Sequence, residues 1–504
     1  MRLLTAALPF LSALCATALD TAPPPSQHAF SFSSLPHSAW SPTQVHSQIE
    51  LGGSLTRSQA VYSLVKDSNS KGGDTFVVGV RNSGQPGGWV EATEGKGQLR
   101  KPVELTTVGS DDDTTYYSVS LSPSTEATTL SLAAVQSHVT RPYPPQLPQN
   151  ADSIYMLWEG DLLAPLAGLS AEQKSKIEAV SVKVKTPTPR ILNLQLADES
   201  GFEVNHPTGS ATVTYTSKGS VASLGPQVAR VHYQQPQAIA SIRKLDRVVE
   251  LSHWGSNLAI QDTIDLANTG PTLEGHFARI DYQKASMHRR QGALAISSLT
   301  VPLPSSAHSP YFYDLVGNVS TSRFRPSSAS SSAVLPSQKK KSKAAQPALL
   351  ELQPRYPLMG GWNYSFTIGY DLPLEEFLRV GKEDGRYSVA VPFLTALKDV
   401  AVDEARVQVR LPEGARDIQV HAPFPLDALT FPEPLVKTYL DIKGRPTVYM
   451  EKRGCTDRHG GEVIITYTLP FFAAYVQKPL AVAVALFGIF TVVVGAKRLR
   501  WSIA

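Results

Sequence analysis

The sequence predicts a mainly β protein: two lumenal β-sandwich-like domains in tandem, carried on one C-terminal transmembrane helix. Three observations predict it. Apolar residues recur with a period of two along much of the chain, helical signals are few, and an uncharged apolar run stands close to the C-terminus.

The chain opens MRLLTAALPFLSALCATALD. Arg2 gives a positive start, Leu3 to Cys15 an apolar stretch, and Ala16-Thr17-Ala18 a small-x-small site. This is the plan of a secretory signal peptide over residues 1–18, cut after Ala18. Residues 19–235 are expected to form the first β-rich domain. There Tyr117, Val119 and Leu121 alternate with Ser118 and Ser120, as half-buried antiparallel strands require. RPYPPQLPQN, Arg141 to Asn150, reads as a Pro-rich connector. Ser170 and Gln173 have capping-box spacing and open a short helix through Ile177.

A boundary at Gln234-Gln235-Pro236 begins the second domain, residues 236–478. Val407, Val409 and Leu411 alternate with Arg406, Gln408 and Arg410, and the turn PEGAR leads into Ile418 and Val420. Leu374 to Val380 reads as a short helix. Ser327 to Ser332, followed by Lys339, Lys340, Lys341 and Lys343, reads as a disordered insertion over 327–345. No internal repeat is visible.

Leu480 to Ala496 carries no charge and spans about 25 Å as a helix, a fit to a thin bilayer. Pro479 suits its first turn, so the span is placed at 479–496. Lys478 flanks one end; Lys497, Arg498, Arg500 and Trp501 mark the other and put a short tail, 497–504, in the cytosol. The expectation is a type I, single-pass membrane protein with its bulk lumenal. Of two cysteines, Cys15 leaves with the signal and only Cys455 stays. A long lumenal chain without disulfides, on a short span, points to the early secretory pathway. The net charge of +4 is small, and no basic face with interleaved aromatics suggests nucleic acid.

Catalytic signatures are missing: no H-E-x-x-H, G-x-S-x-G, Walker loop or paired cysteines. Asp111-Asp112-Asp113 has the D-x-D spacing of metal-dependent sugar-nucleotide transferases, yet reads more simply as a solvated turn. Cys455 and His459 lie close in KRGCTDRHGG, read as a polar surface loop with an unpaired cysteine. In VVELSHWGSNLAIQDTIDL, the residues His253, Trp254 and Gly255 form a structural turn. Trp254 is expected to pack across the hairpin. Asp262 interrupts the apolar face of Leu258, Ile260, Ile264 and Leu266, so it needs a partner, and His253 is one candidate. Two sequons, Asn318-Val-Ser320 and Asn363-Tyr-Ser365, are candidate glycosylation sites, Asn363 the weaker.

VVELSHWGSNLAIQDTIDL, ANTGPTLEGHFARIDYQ, YFYDLVGNVSTSRFR, ELQPRYPLMGGWNYSFTIGYDLP, VRLPEGARDIQV and TYLDIKGRPTVY resemble, in order and spacing, the ribophorin I family. That family supplies subunit 1 of the endoplasmic-reticulum oligosaccharyltransferase. The resemblance runs from about Ser241 to the span and is loose before residue 240; the 327–345 stretch looks like an insertion. It implies a non-catalytic subunit without cofactor of its own, with two lumenal β-rich domains over one helix. Oligosaccharide transfer from dolichyl diphosphate to Asn-x-Ser/Thr then belongs to a separate multi-span, metal-dependent subunit. Asn318 matches a position glycosylated in the family, whereas SHWG has no catalytic counterpart. The short tail resembles the fungal form and lacks the extension that would meet a ribosome. Implied partners are the other subunits, nascent polypeptides and the reticulum membrane. Helix packing is expected through Ala481, Ala483, Ala485 and Gly488. Two rival readings remain: a single-span metal-dependent glycosyltransferase using Asp111 to Asp113, and a cell-surface β-sandwich adhesion receptor.

Overall fold

The computed structural model describes residues 38–498, apart from 67–73, 82–87, 96–99, 112–113, 123–125, 197–200, 220, 222–223, 288–291, 328–345, 383–384, 432–434 and 439–440. The expected signal peptide with Ala18, Asp112, Asp113, nearly all of the insertion and the tail beyond 498 lie outside the described residues.

The alternating pattern folds into strands throughout. In the first half these include β1 (Trp40–Leu51), β2 (Leu55–Lys66), β3 (Trp89–Glu94), β4 (Ala127–Ser137), β5 (Ile154–Asp161), β6 (Ala179–Lys185) and β7 (Val228–Gln235). In β6, AVSVKVK, burial follows the period of two: Val180, Val182 and Val184 are buried while Lys183 and Lys185 are exposed. Each such valine contributes about 1.5–3 kcal/mol by leaving water. The second half includes β8 (Ala240–Ser252), β9 (Asn257–Asn268), β10 (Asn363–Pro373), β11 (Arg386–Pro392), β12 (Ala401–Arg410), β13 (Thr447–Cys455) and β14 (Glu462–Thr468). Val407, Val409 and Leu411 are buried, as are Tyr364, Phe366, Ile368 and Tyr370.

The two halves share one plan. An eight-stranded sheet in the first runs Phe202–Asn205, Thr212–Ser217, β6, β1, β2, β4, β3, Lys101–Val103. Its counterpart runs Ala428–Thr430, β13, β12, β8, β9, β10, His308–Asp314, Gly317–Asn318. In each, a long antiparallel hairpin forms the centre, β1–β2 or β8–β9. The first hairpin strand pairs in parallel with a later one, β1 with β6 and β8 with β12. Every other ladder in both sheets is antiparallel. Each half adds a four-stranded and a three-stranded sheet, and the corresponding strands follow in the same chain order. The molecule is a tandem duplication of one β unit, although no repeat is visible in the residues. Each half encloses its own apolar core, with Trp40, Tyr62, Trp158 and Tyr233 in the first and Phe366, Tyr370, Phe393 and Tyr467 in the second.

The halves are locked together. Residues Gln146–Leu147 and Thr272–Leu273, which have no counterpart in the shared plan, pair in parallel across the junction. Leu55 and Val135 pack on Ala401, with Trp89 against them. Arg57 bridges Asp399 at 2.7 Å and Asp457 at 2.8 Å, and His138 meets Asp403 at 2.8 Å.

Short helices behave differently from one another. Ser170 caps Ala171–Ser175, and the reciprocal Gln173 bond completes the capping box; the helix stops before Ile177. Leu374 to Val380 is not one helix. It makes a single turn, Leu374–Phe377, and then an edge strand, Leu378–Val380, paired with β11. Pairing with β11 satisfies backbone groups that a further isolated turn would leave at its frayed end.

Candidate functional sites

The SHWG turn closes the β8–β9 hairpin, with Ser252 opposite Asn257. The Ser252 hydroxyl accepts from the Gly255 amide at 3.1 Å, and Ser256 takes a positive φ of 46° to reverse the chain. His253 and Asp262 are not partners. Asp262 lies fully buried opposite Arg247 on β8, whose guanidinium donates to both carboxylate oxygens at 2.7 Å and to the Pro392 carbonyl at 2.7 Å. Burial opposes the charge on Arg247, but the adjacent Asp262 carboxylate holds its pKa above the usual value. The reason is register: Arg247 faces Asp262 on the next strand, whereas His253 sits at the far end of the hairpin. The signal was in the sequence, because Arg247 interrupts the apolar face of Leu245, Val249 and Leu251 as Asp262 interrupts its own.

His253 instead shares a hydrogen bond with the Tyr467 hydroxyl at 2.7 Å and meets the Tyr387 ring edge-on at 4.8 Å. Burial lowers its pKa. No carboxylate orients this imidazole among its described contacts, so the cluster locks β8 to β11 and β14 without assembling an acid–base couple. Trp254, expected to pack across the hairpin, is not buried by it: the residue is 59% exposed.

Cys455 is no surface-loop residue. It ends β13, fully buried, with its Sγ near the Lys452 carbonyl at 3.5 Å, and burial pushes the thiol up to about 12. His459 turns away from it: Nδ1 accepts from the Thr456 amide at 3.0 Å. Its ring sits edge-on to Trp89 and Phe424, centroids 5.2 and 5.0 Å away, at the junction of the halves. Burial pushes His459 down to about 4. A thiol kept protonated and a neutral imidazole bonded elsewhere cannot act as a dyad. Asp111 follows the strand Leu105–Ser110 and exchanges backbone hydrogen bonds with Thr114. Among the described residues no group of three His, Cys, Asp or Glu side chains is placed to hold a metal.

Asn318 lies on an exposed hairpin. Asp314 organises it, accepting from the Val316 and Gly317 amides at 2.9 and 3.1 Å and from Arg355 at 2.6 Å. The Arg355 hydrogen bonds hold the Asp314 carboxyl well below the usual carboxylate range. Asn363, also exposed, begins β10, an inner strand, where the backbone is extended and paired with Ala267.

The C-terminal helix, Gln477–Arg498, follows a π turn at Phe472–Val476. None of its apolar window is buried within the protein. Ala481, Ala485 and Gly488 share a face at i, i+4 and i+7, and Gly495 extends it. Ala483 does not belong there, since two residues turn a helix about 200°. The helix is tied to the last β unit at its start. Lys478 donates to Asp441 at 3.1 Å, and Arg445 and the Thr438 amide and hydroxyl donate to the same buried carboxylate. Burial opposes ionisation of Asp441, but these donors outweigh it and lower its pKa.

Comparison with known proteins covers both halves. The ribophorin I family profile matches residues 40–497, including the half whose sequence resembles the family only loosely. Subunit 1A of the dolichyl-diphosphooligosaccharide–protein glycosyltransferase of Arabidopsis thaliana is 32% identical over 388 residues, 75% of this chain and 57% of the relative. Subunit 1 of Caenorhabditis elegans is 30% identical, covering 73% and 56%. Subunit 1B of Oryza sativa subsp. japonica is 30% identical, covering 82% and 81%. The chain thus spans a little over half the length of the first two relatives. Among solved structures, leukotriene A4 hydrolase from Saccharomyces cerevisiae aligns over 45% of this chain and 34% of its own, at 10% identity and a TM-score of 0.26. With the profile spanning both β units and nearly all of the apolar helix, this chain belongs to the ribophorin I family.

Proposed function

We propose that this chain is a non-catalytic, single-pass subunit of the oligosaccharyltransferase of the endoplasmic reticulum, supporting assembly and presenting acceptor polypeptides for N-glycosylation. The observation that carries the proposal is the match over residues 40–497 to a family whose relatives are named as subunit 1 of that transferase. An exposed apolar helix, bonded to a β unit by Lys478 and Asp441, supports a role as an anchored scaffold. In this reading the bulk of the chain is lumenal, and bond formation, with any metal it needs, resides in a multi-span partner. Packing on that partner uses the face of Ala481, Ala485 and Gly488.

Acceptor chains, being unfolded and varied, are best held through their backbones, as an added strand on a sheet edge. The eight-stranded sheets end in strands of two to four residues, which leave little to pair with. The six-residue edges Leu105–Ser110, Ile191–Leu196 and Arg416–His421 are longer and largely exposed, and these are the edges proposed to receive the acceptor.

The test is purification of the tagged full chain from microsomes in mild detergent, with identification of its companions and an assay of sequon-peptide glycosylation. Co-purification of a multi-span transferase, and no activity of this chain when separated from it, is the expected result. Transfer of oligosaccharide by the isolated chain would overturn the proposal.

A further inference from the structure

Three separate segments bring apolar side chains to the start of the C-terminal helix. Trp254 projects from the β8–β9 turn and is 59% exposed. Ile442 is 50% exposed; it follows Asp441, which holds Lys478, and its amide donates to Glu413 at 3.0 Å. Tyr475, 57% exposed, precedes the helix in the π turn, with Phe471 against it at a ring distance of 5.1 Å. One small cavity of about 30 Å³ puts Trp254 beside Glu413, Arg445, Leu469, Ala473 and Lys478; Glu413 also holds the Ile442 amide, and Ala473 lies in the same π turn as Tyr475. Trp254 therefore sits beside the first turn of the helix, not at a remote tip.

We infer that Trp254, Ile442 and Tyr475 form a seat that rests the second β unit in the headgroup layer of the bilayer. The occupant is a lipid surface because the patch is continuous with the apolar helix. The inference rests on the single-pass reading. Depth supports it. The uncharged run from Leu480 covers about 25 Å, against an average hydrocarbon thickness of about 30 Å. The deficit draws residues just before Leu480 toward the interface, and Tyr475 stands only about 7.5 Å before it along the axis. Trp254 lines the same cavity as Lys478, and Ile442 follows the Asp441 that holds it, which suits the layer that tryptophan and tyrosine favour and lysine reaches by extending its stem. Because Lys478 and Arg445 clamp Asp441, the helix cannot swing freely beneath the β unit. The seat thereby fixes the angle between the β units and the membrane.

The experiment uses the full chain reconstituted alone in phosphatidylcholine vesicles, in a Cys15→Ser background. The native Cys455 is buried and keeps its thiol protonated. An environment-sensitive fluorophore is placed by Trp254→Cys or Ile442→Cys, with Val204→Cys, an exposed position in the first half, as control. Lipids carrying a nitroxide on the headgroup should quench the first two at least twofold more than the control. Equal quenching at all three positions, in protein that resists alkaline extraction, would overturn the seat and leave the patch for a protein partner. Release of the chain by alkaline carbonate would instead overturn the single-pass reading, and the seat with it.

Discussion

The same rung of the same hairpin is built in two ways in this molecule. Each central hairpin starts with a bulge, between Pro42 and Gln44 in the first half and between Ile242 and Lys244 in the second. Three residues further on, Ser47 faces Ala60 in one, and Arg247 faces Asp262 in the other. The neighbouring partners differ likewise: Thr56 and Ser58 stand where the second half has Leu258 and Ile260. In the first half these small residues line a cavity of about 320 Å³ together with Tyr62, Leu132 and Trp158. The second half fills the corresponding position with an ion pair bonded onward to β11. A shared strand plan thus tolerates either a hollow or a filled space between its sheets. The filled copy is the one that carries the helix, where motion between sheets would be passed to the anchor.

The sharpest way to break this contrast is to remove one member of the pair. Asp262→Ala leaves a guanidinium buried without its counter-ion and should destabilise the second half by about 3–5 kcal/mol, read by denaturant unfolding. Replacing both Arg247 and Asp262 with apolar residues of similar volume should cost far less. A double variant as unstable as Asp262→Ala would show that hydrogen bonding to Pro392, not the paired charge, matters most.

The junction between the halves supplies the next effect. His459 is buried neutral with a pKa of about 4, against about 6.5 in an unfolded chain. Between these values the unfolded state binds a proton that the native state does not, so stability rises with pH through this window. Acidification from pH 6.5 to 4 should remove about 3 kcal/mol, and His459→Phe should remove that part of the dependence. Identical pH profiles for the two proteins would place the acid sensitivity elsewhere.

The first half gives a smaller test. Ser170→Ala deletes the hydroxyl that accepts from Gln173 and should cost about 1 kcal/mol. Because the capped helix also sends Gln173 to the Trp40 carbonyl at 2.8 Å, the loss should appear in the unfolding of the first half.

That cap was legible because Ser and Gln three residues apart report a local geometry. So were the buried faces of β9 and β12, where a period of two needs no knowledge of the rest of the chain. What was not legible was long-range. Arg247 announced itself by breaking an apolar face, but only the register of β8 against β9 joins it to Asp262. Cys455 sits in KRGCTDRHGG, a polar string that looks solvated until the first half, with Trp89, covers its surroundings. Trp254 looked like hairpin packing and proved to be 59% exposed. The duplication escaped for a related reason. Strand order and direction are preserved while equivalent rungs have diverged as far as Ser47 from Arg247, so the repeat lives in pairing and not in residue identity.

The smallest expected effect bears most directly on why the first half is hollow. Ala60 is 8% exposed and lines the cavity opposite Ser47. Ala60→Val adds two methyl groups to empty space and suits a strand, so if the space has no occupant the variant should gain about 0.5–1 kcal/mol. A loss instead of a gain, without a change in the unfolding of the second half, would mean that the space is needed as it stands, either by ordered water on Ser47, Thr56 and Ser58 or by a guest. Measuring the two halves separately matters here, because an effect confined to the first unit distinguishes a local filling from strain transmitted through Leu55 and Val135 to Ala401.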